Sequence, residues 1–233
     1  MRDGQTRIEA AADPRGIAEA PALVVDVVER LVINILEARS AIAMQAEALE
    51  VVKRHAELDP LTSLPNRILL FDRIAQAIAM ADRNRVCCAV LFVDIDRFKD
   101  VNDRDGHAAG DRVLRNVAHR LLSCVRAVDT VCRIGGDEFV VLLTDVAGLH
   151  DIGLIAAKIV AALAKADADG SGVRVSIGIS RYPNDAVNAE ALIALADAAM
   201  YRSKRAGGGT YDFHVEDVEP DPRSPHAPNP PEG

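Results

Sequence analysis

The chain has 233 residues, of which 49% are hydrophobic and 27% are charged, and its formal net charge is −8. This balance is ordinary for a folded globular protein and excludes an intrinsically disordered chain. The acidic charge argues against general nucleic-acid binding, which relies on positive surface to replace phosphate counterions.

Membrane insertion and secretion are also disfavoured by the sequence. The most apolar segment, residues 23–36, contains Asp26, Glu29 and Arg30, so it is too short and too charged to span a bilayer. The four cysteines form no C-x-x-C pair and have no histidine at zinc-ligand spacing, which favours reduced thiols in a reducing compartment. We expect a cytoplasmic protein without membrane insertion.

Both ends of the chain are predicted to be disordered. Residues 1–20 are polar and rich in Ala and Gly, and residues 216–233 hold six prolines among acidic residues. Neither segment offers enough apolar surface to offset the entropy of ordering it.

Residues 21–57 are predicted to form one long helix that carries a coiled-coil seam. Apolar residues and one Gln recur in alternating steps of four and three, which gives the 3.5-residue period of such a seam. The seam consists of Val24, Val28, Leu31, Ile35, Ala38, Ile42, Gln45, Leu49 and Val52. A homodimer through this helix is the favoured interpretation, and packing of the helix on its own globular domain is the alternative.

Residues 58–215 are predicted to form a globular domain in which helices and strands alternate. The apolar run at 86–93 is typical of a central strand buried on both faces. Two short strands around a Gly-Gly pair indicate a hairpin, which favours an α/β (α+β) fold with a mixed sheet. The predicted elements are helices at about 65–81, 111–125, 148–165 and 189–205, and strands at 86–93, 130–134, 139–143 and 173–179.

Two acidic motifs lie at ends of these strands. Asp94 and Asp96 follow the apolar strand, and a buried carboxylate is costly unless it is paired, hydrogen-bonded or bound to a metal; Asp96 is also a candidate helix cap. Residues 135–138 (Gly-Gly-Asp-Glu) join two apolar runs, where glycines suit a tight turn and a close approach of phosphates. Carboxylates that meet at strand ends favour Mg²⁺, so the pattern predicts metal-assisted phosphoryl or nucleotidyl transfer. An ordinary acidic turn is the alternative.

With these residues the sequence resembles the GGDEF family, the diguanylate cyclases, over residues 58–215. The family signature is Gly-Gly-Asp-Glu-Phe at 135–139. The other matching segments are Asp59-Pro60-Leu61-Thr62, Leu64-Pro65-Asn66-Arg67, Asn102-Asp103-x-x-Gly106-His107-x-x-Gly110-Asp111, Val173 to Ser180 and Ala196-Asp197-x-Ala199-Met200-Tyr201. The resemblance implies a mixed sheet of about five strands wrapped by helices. It also implies that two domains, each holding one GTP, face each other and form cyclic di-GMP and two pyrophosphates.

The resemblance further implies roles for individual residues. Asp94, Glu138 and the Ile95 carbonyl would hold two Mg²⁺ or Mn²⁺ ions, and Asp137 would be the general base or support the second metal. The guanine edge would be read by Asn102 and Asp111, whose side chains offer the acceptors and the donor that this base requires. For Asp111 a helix-opening role is the alternative.

The triphosphate contacts implied by the resemblance are the backbone amides of Phe98 and Lys99 and the side chain of Lys204. The sequence departs from the family at Gly208 and Gly209, where Arg and Asn are usual. One phosphate contact is therefore expected to be missing unless Arg202 or Arg205 supplies it. Ser63, where the family often has Gly, is a smaller departure.

Arg126 and Asp129 lie upstream of the Gly-Gly turn at the spacing of the family's product-inhibition site. Arginine clamps phosphates or guanine edges in pairs of hydrogen bonds, and a carboxylate accepts from guanine. We expect binding of cyclic di-GMP there, and a surface salt bridge is the alternative.

Three functions are compatible with these patterns. The favoured one is an active, dimeric cyclase with feedback inhibition, because its carboxylates and guanine-reading pair are intact. The second is a catalytically weak or inactive receptor for GTP or cyclic di-GMP, for which Gly208 is the argument. The third is an adaptor that acts through its helix and tails.

Overall fold

A computed structural model of the chain describes residues 14–166 and 172–215. The chain divides into two units, residues 1–54 and 55–233. Residues 1–13 and the tail predicted at 216–233 lie outside the described part.

Helix α1 (Pro14–Glu57) makes up the described part of the first unit and ends within the second. It begins at Pro14 rather than at residue 21, so residues 14–20, predicted to be disordered, are helical. Proline suits the first position of a helix, where its missing N–H has no partner to lose. The described apolar side chains of the seam are exposed in the single chain; Leu31 is 53% and Ile35 55% exposed. None of the described helices is both long and apolar enough to cross a membrane.

Five strands form one sheet in the second unit, in the order β2-β3-β1-β4-β5. They are β1 (Cys87–Ile95), β2 (Thr130–Gly135), β3 (Glu138–Val146), β4 (Val175–Tyr182) and β5 (Tyr211–Phe213). Neighbouring strands are antiparallel except β4 and β5, which are parallel. The prediction of a mixed sheet is confirmed. Strand β1 runs past the predicted end at 93, so Asp94 lies within the sheet.

Helices cover both faces of this sheet. They are α2 (Arg67–Asn84), α3 (Phe98–Asp105), α4 (His107–Cys124), α5 (Leu149–Ala164) and α6 (Ala189–Arg205). One core cluster joins α2 and α6 to Val90 and Phe92 of β1, and the other joins α4 and α5 to Leu91 and Val93. The strand is therefore buried on both sides, as its unbroken apolar run predicted. By the alternation of side chains along β1, Asp94 faces the side of α2 and α6.

Helix α3 and strand β5 are absent from the sequence prediction. The four cysteines are unpaired, and Cys88, Cys124 and Cys132 are buried.

Candidate active site

The register of three strands brings the predicted carboxylates together. Antiparallel pairing places Asp94 of β1 opposite Glu138 of β3 on one side and opposite Ser176 of β4 on the other. Directly opposed residues point to the same face of a sheet, so all three side chains lie on the α2/α6 face. Asp94 is only 6% exposed, whereas Glu138 is half-buried.

A short hairpin fixes the position of Glu138 relative to Asp94. Gly135 pairs with Glu138, which leaves Gly136 and Asp137 as the turn between β2 and β3. Gly136 has φ +50°, a left-handed conformation that glycine adopts without steric cost. The Asp137 carbonyl accepts a hydrogen bond from the Ile95 amide at 3.4 Å. This bond ties the turn to the end of β1.

The electrostatics of this cluster favour a cation. The pKa of Asp94 is raised to about 6, chiefly by burial and also by the charges of Asp137 and Glu138, against the lowering effect of Lys204. Burial also raises the pKa of Glu138, as do the charges of Asp137 and Asp197. Carboxylates that raise one another's pKa are stabilised as anions by positive charge placed among them.

Lys204 supplies one such positive charge. Its Nζ lies 2.6 Å from Oδ1 of Asp94, at the C-terminal end of α6. The sequence predicted a triphosphate contact for this lysine, and in this structure it is instead paired with the carboxylate predicted to bind metal.

The donor set suits Mg²⁺ or Mn²⁺ that shares its ligands with a substrate. Within the described ranges, no three His, Cys, Asp or Glu side chains converge to ligate an ion by themselves. Asp94 and Glu138, with the backbone oxygen of Ile95 beside them, provide oxygen ligands only. Mg²⁺ is commonly held by one or two carboxylates together with phosphate oxygens, so the residues fit the predicted metal.

Asn102 lies close to the first turns of α4 because α3 and α4 are joined by a single residue. Gly106 makes this corner with φ +81°. Gly110 packs directly against Asn102, since a Cβ at position 110 would lie 2.0 Å from Asn102 Oδ1. The carboxamide of Asn102 is therefore held beside the residue that precedes Asp111. Asp111 is half-buried within α4 and does not open that helix, which begins at His107.

Asp96 does not cap the helix that follows it. The cap position of α3 belongs to Arg97, which has φ +57° and makes no side-chain capping bond. Asp96 instead accepts hydrogen bonds from the Ser176 hydroxyl at 2.7 Å and from the Gly209 amide at 2.7 Å. It therefore connects the end of β1 to β4 and to the turn after α6. The backbone of Phe98 and Lys99 forms the first turn of α3, next to this connection.

Sequence reasoning missed the partner of Asp59, the first residue of the matching segment Asp59-Pro60-Leu61-Thr62. Arg133 of β2 donates from Nη1 to both Asp59 oxygens at 3.0 Å. Its Nη2 and Nε donate to the Gly136 carbonyl at 2.7 and 3.1 Å. One guanidinium thus links the loop after α1 to the glycine turn. The Arg in front of the Gly-Gly pair was the only signal, and it gave no indication of its distant partner.

The predicted product-inhibition pair forms a structured corner on another side of the domain. Asp129 accepts from the Arg126 amide at 2.9 Å, from the Arg126 guanidinium at 3.2 Å and from the Thr144 amide at 3.1 Å. The Asp129 side chain is fully buried, while that of Arg126 is 53% exposed. Both border a cavity of about 440 Å³ that Lys158 also lines.

Comparisons with known proteins agree with this geometry. Residues 56–210 match the family model described as diguanylate cyclase, GGDEF domain. Diguanylate cyclase TpbB of Pseudomonas aeruginosa is 47% identical over 159 residues, which are 66% of this chain and 37% of TpbB. The crystal structure of the TpbB GGDEF domain has a TM-score of 0.63 and 44% identity, and covers 66% of this chain and 98% of that one.

A second structure includes a helical segment in addition to the domain. The coiled coil and GGDEF domain of DgcB from Caulobacter crescentus, solved in complex with c-di-GMP, has a TM-score of 0.67 and 26% identity. The match covers 78% of this chain and 98% of that one. The chain spans between 22% and 37% of the length of the first curated relatives it matches.

Proposed function

The chain belongs to the diguanylate cyclase GGDEF domain family, and from this premise we propose that it condenses two GTP into cyclic di-GMP and two pyrophosphates. The observation that carries the proposal is the pairing of Asp94 with Glu138 across β1 and β3 at the glycine turn. A structural turn has no need of two opposed carboxylates with raised pKa values, whereas nucleotidyl transfer does.

Asp94, Glu138 and the Ile95 carbonyl are the proposed ligands of two divalent cations. Bound there, the cations would neutralise phosphate charge and promote deprotonation of the attacking 3′-hydroxyl. Asp137, on the turn beside Glu138, is the proposed acceptor of that proton or the proposed support of the second metal. Lys204 holds Asp94 in position through its ion pair, and its flexible ammonium turns to the triphosphate when the substrate brings its own negative charge.

Asn102 and Asp111 are the proposed readers of guanine. A carboxylate accepts hydrogen bonds from N1–H and the exocyclic amine of guanine, and adenine lacks both of these donors at matching positions. With ATP, the carboxylate would be desolvated without partners, which disfavours binding. Gly110 keeps the carboxamide and the carboxylate at adjacent positions, and any larger residue would displace Asn102.

A homodimer is part of this proposal because the reaction joins two substrates that each occupy one domain. The exposed apolar side chains of the seam on α1 would be covered by the same helix of a second copy. Product inhibition is proposed at Arg126 and Asp129. The guanidinium of Arg126 remains exposed for phosphates, and the buried Asp129 orients it.

The proposal is tested by incubating the full chain with GTP and Mg²⁺ and resolving the products by mass spectrometry. The Glu138→Gln variant is the matched control, since it keeps the size of the side chain and removes its charge. We expect cyclic di-GMP and pyrophosphate from the unaltered chain and a loss of at least about a hundredfold in rate from the variant. ATP in place of GTP should give no cyclic product.

The alternative, a receptor that binds nucleotide without turnover, predicts a different result in the same experiment. Neither protein would form product at any GTP concentration, and cyclic di-GMP would still bind to the unaltered chain and not to Arg126→Ala. That outcome would replace the enzyme by the receptor.

A further inference from the structure

The turn that follows α6 is built from three consecutive glycines, and at two of them, Gly208 and Gly209, a side chain would meet close neighbours. Gly207, Gly208 and Gly209 have φ of +116°, +69° and +65°. A Cβ on Gly208 would lie 2.5 Å from Asp96 Oδ2, and a Cβ on Gly209 would lie 2.6 Å from Arg174 Nε. The space that side chains at 208 and 209 would enter is therefore held by Asp96 and Arg174.

Arg174 lies on the same side of the sheet as the carboxylates of the candidate site. Its carbonyl accepts a hydrogen bond from the Asp96 amide at 2.9 Å, so the pairing of β4 with β1 continues one residue beyond Val175 and Ile95. Residues two apart on a strand share a face, which puts the side chain of Arg174 on the α2/α6 face with Ser176 and Asp94.

The guanidinium of Arg174 donates its hydrogen bonds to backbone carbonyls. Its Nη2 donates to the carbonyls of Gly207 at 2.9 Å and Gly208 at 2.7 Å, which are neutral acceptors. In the described part of the chain, no carboxylate lies within ion-pair distance of it. Arg174 is exposed and borders a cavity of about 390 Å³ that is also lined by Arg97, Asp96 and Asp100.

The two arginines considered from sequence as substitutes are less well placed. Arg202 is bound to Asp212 at 2.9 Å and to the Phe213 carbonyl at 2.8 Å. Arg205 is exposed at the end of α6, and no contact directs it to the cavity beside α3.

We propose that Arg174 binds the terminal phosphates of GTP. It takes the place of a cationic side chain that the turn at 207–209 cannot carry. This inference rests on the proposed function, because it concerns the substrate of the same site. The guanidinium contacts the outer phosphates beside the first turn of α3, and its hydrogen bonds to the turn at 207–209 hold it there. Arginine suits this task because its planar donors match phosphate oxygens in pairs.

Substitution of Arg174 by Gln or Lys separates this role from a purely structural one. Arg174→Gln keeps an amide donor for the carbonyls of the turn at 207–209 and removes the charge, whereas Arg174→Lys keeps the charge. The ligand is a GTP analogue with a methylene group between its α- and β-phosphates, which prevents release of pyrophosphate. Its affinity and that of GMP are measured by calorimetry with Mg²⁺, and Arg205→Gln is the matched control.

We expect Arg174→Gln to weaken binding of the analogue about tenfold or more, since a hydrogen bond between charged groups is lost. GMP, which lacks the outer phosphates, should bind both proteins within about twofold. Arg174→Lys should keep most of the affinity for the analogue, and Arg205→Gln should leave that affinity unchanged. In steady-state assays the KM for GTP should rise with kcat nearly unchanged.

Two results would overturn the inference. One is full affinity of Arg174→Gln for the analogue, and the other is an equal loss for the analogue and GMP, which would indicate a structural role for the turn. In both, the unaltered chain still makes cyclic di-GMP and the proposed function stands. If the unaltered chain neither binds the analogue nor makes product, the proposed function fails and the role of Arg174 fails with it.

Discussion

At the scale of single residues, Ser63 in the loop after α1 has a backbone conformation that is unfavourable for its residue type. Ser63 has φ +59°, a conformation that costs a residue with a Cβ about 1–2 kcal/mol. Glycine removes this strain and loses part of the gain through its greater freedom in the unfolded chain. We therefore expect Ser63→Gly to raise the free energy of unfolding by about 0.5–1 kcal/mol in urea titrations. Ser63→Ala keeps the strain and should not stabilise; a gain with Ala equal to that with Gly would contradict this explanation.

The ion pair between Asp59 and Arg133 is the main support of the glycine turn from outside the sheet. Their side chains are only 16% and 11% exposed, so the pair is little screened by water. Asp59→Asn keeps an acceptor for Thr62 but leaves the guanidinium without a counter-charge. We expect a loss of about 1–3 kcal/mol in the free energy of unfolding and a slower cyclase, because the turn that carries Glu138 loses an anchor. Arg104→Gln, which breaks an exposed pair with Asp105, should leave stability within about 0.5 kcal/mol.

The same pair gives a pH dependence of defined sign. Burial tends to raise the pKa of Asp59, but hydrogen bonds from Thr62 and the charge of Arg133 outweigh it and lower the pKa below 3.8. A carboxyl with a lowered pKa in the folded state stabilises the fold above its unfolded pKa, and this stabilisation is lost as the pH falls through the folded value. Between about pH 5 and pH 2, the unaltered chain should therefore lose more stability than Asp59→Asn. Parallel slopes of the two proteins in that range would show that Asp59 is not responsible.

At the scale of the secondary-structure elements, β4 lies in close contact with α6 at Gly178. A Cβ on Gly178 would lie 1.9 Å from the Ala196 carbonyl oxygen and 2.0 Å from the Met200 amide. Because both neighbours are helix backbone, α6 would have to move away from the sheet. We expect Gly178→Ala to cost about 2–3 kcal/mol or more in urea unfolding. It should also lower activity, since α6 carries Lys204.

The control for that prediction is a second buried glycine. Gly153 lies within α5, and a Cβ there would lie 3.3 Å from the Tyr211 hydroxyl, which is the end of a flexible side chain. Alanine gains about 1 kcal/mol of helix propensity over glycine, so Gly153→Ala should be neutral or stabilising. Equal destabilisation by both substitutions would mean that close packing on α6 is not the reason.

The elements that sequence predicts and those that it misses differ in how they are stabilised. Strand β1 was predictable because both faces are buried, yet its predicted end fell short of Asp94 because a carboxylate interrupts the apolar run. Helix α3 has no buried residue, so it leaves no apolar periodicity to detect. Strand β5 has three half-buried residues and is held by parallel pairing with β4, a non-local interaction.

At the scale of the whole molecule, the sequence predicts motifs better than the contacts between them. Asp94, Glu138, Asn102 and Asp111 lie in segments that a motif identifies, and the strand register and the Gly106 corner bring them together in two pairs. Arg174 lies in the matching segment Val173 to Ser180, but no motif assigns this residue a role. Its position beside the turn at 207–209 follows from the pairing of β4 with β1 and from the missing side chains at 208 and 209. Only the folded chain shows this position.

The proposed reaction joins substrates held by two copies of the domain, so we expect the long helix to control its rate. A single chain offers one set of the proposed metal-binding and guanine-reading residues, whereas the proposed product contains two guanosine monophosphates. The side chains of Leu31 and Ile35 are more than half exposed, and burying them against a second helix removes apolar surface from water. Charges at these positions would be desolvated in a dimer and repel their counterparts.

Leu31→Glu combined with Ile35→Glu should therefore give a monomer with a low rate of cyclic di-GMP formation. Arg39→Glu combined with Ser40→Glu, two exposed positions off the seam, is the matched control and should remain dimeric and active. Sedimentation measures the oligomeric state, and the rate is followed as a function of protein concentration. The rate per chain of the seam variant should rise with concentration as transient dimers form, whereas that of the control should stay constant. A seam variant that is monomeric and as fast as the control would show that the long helix does not assemble the active dimer.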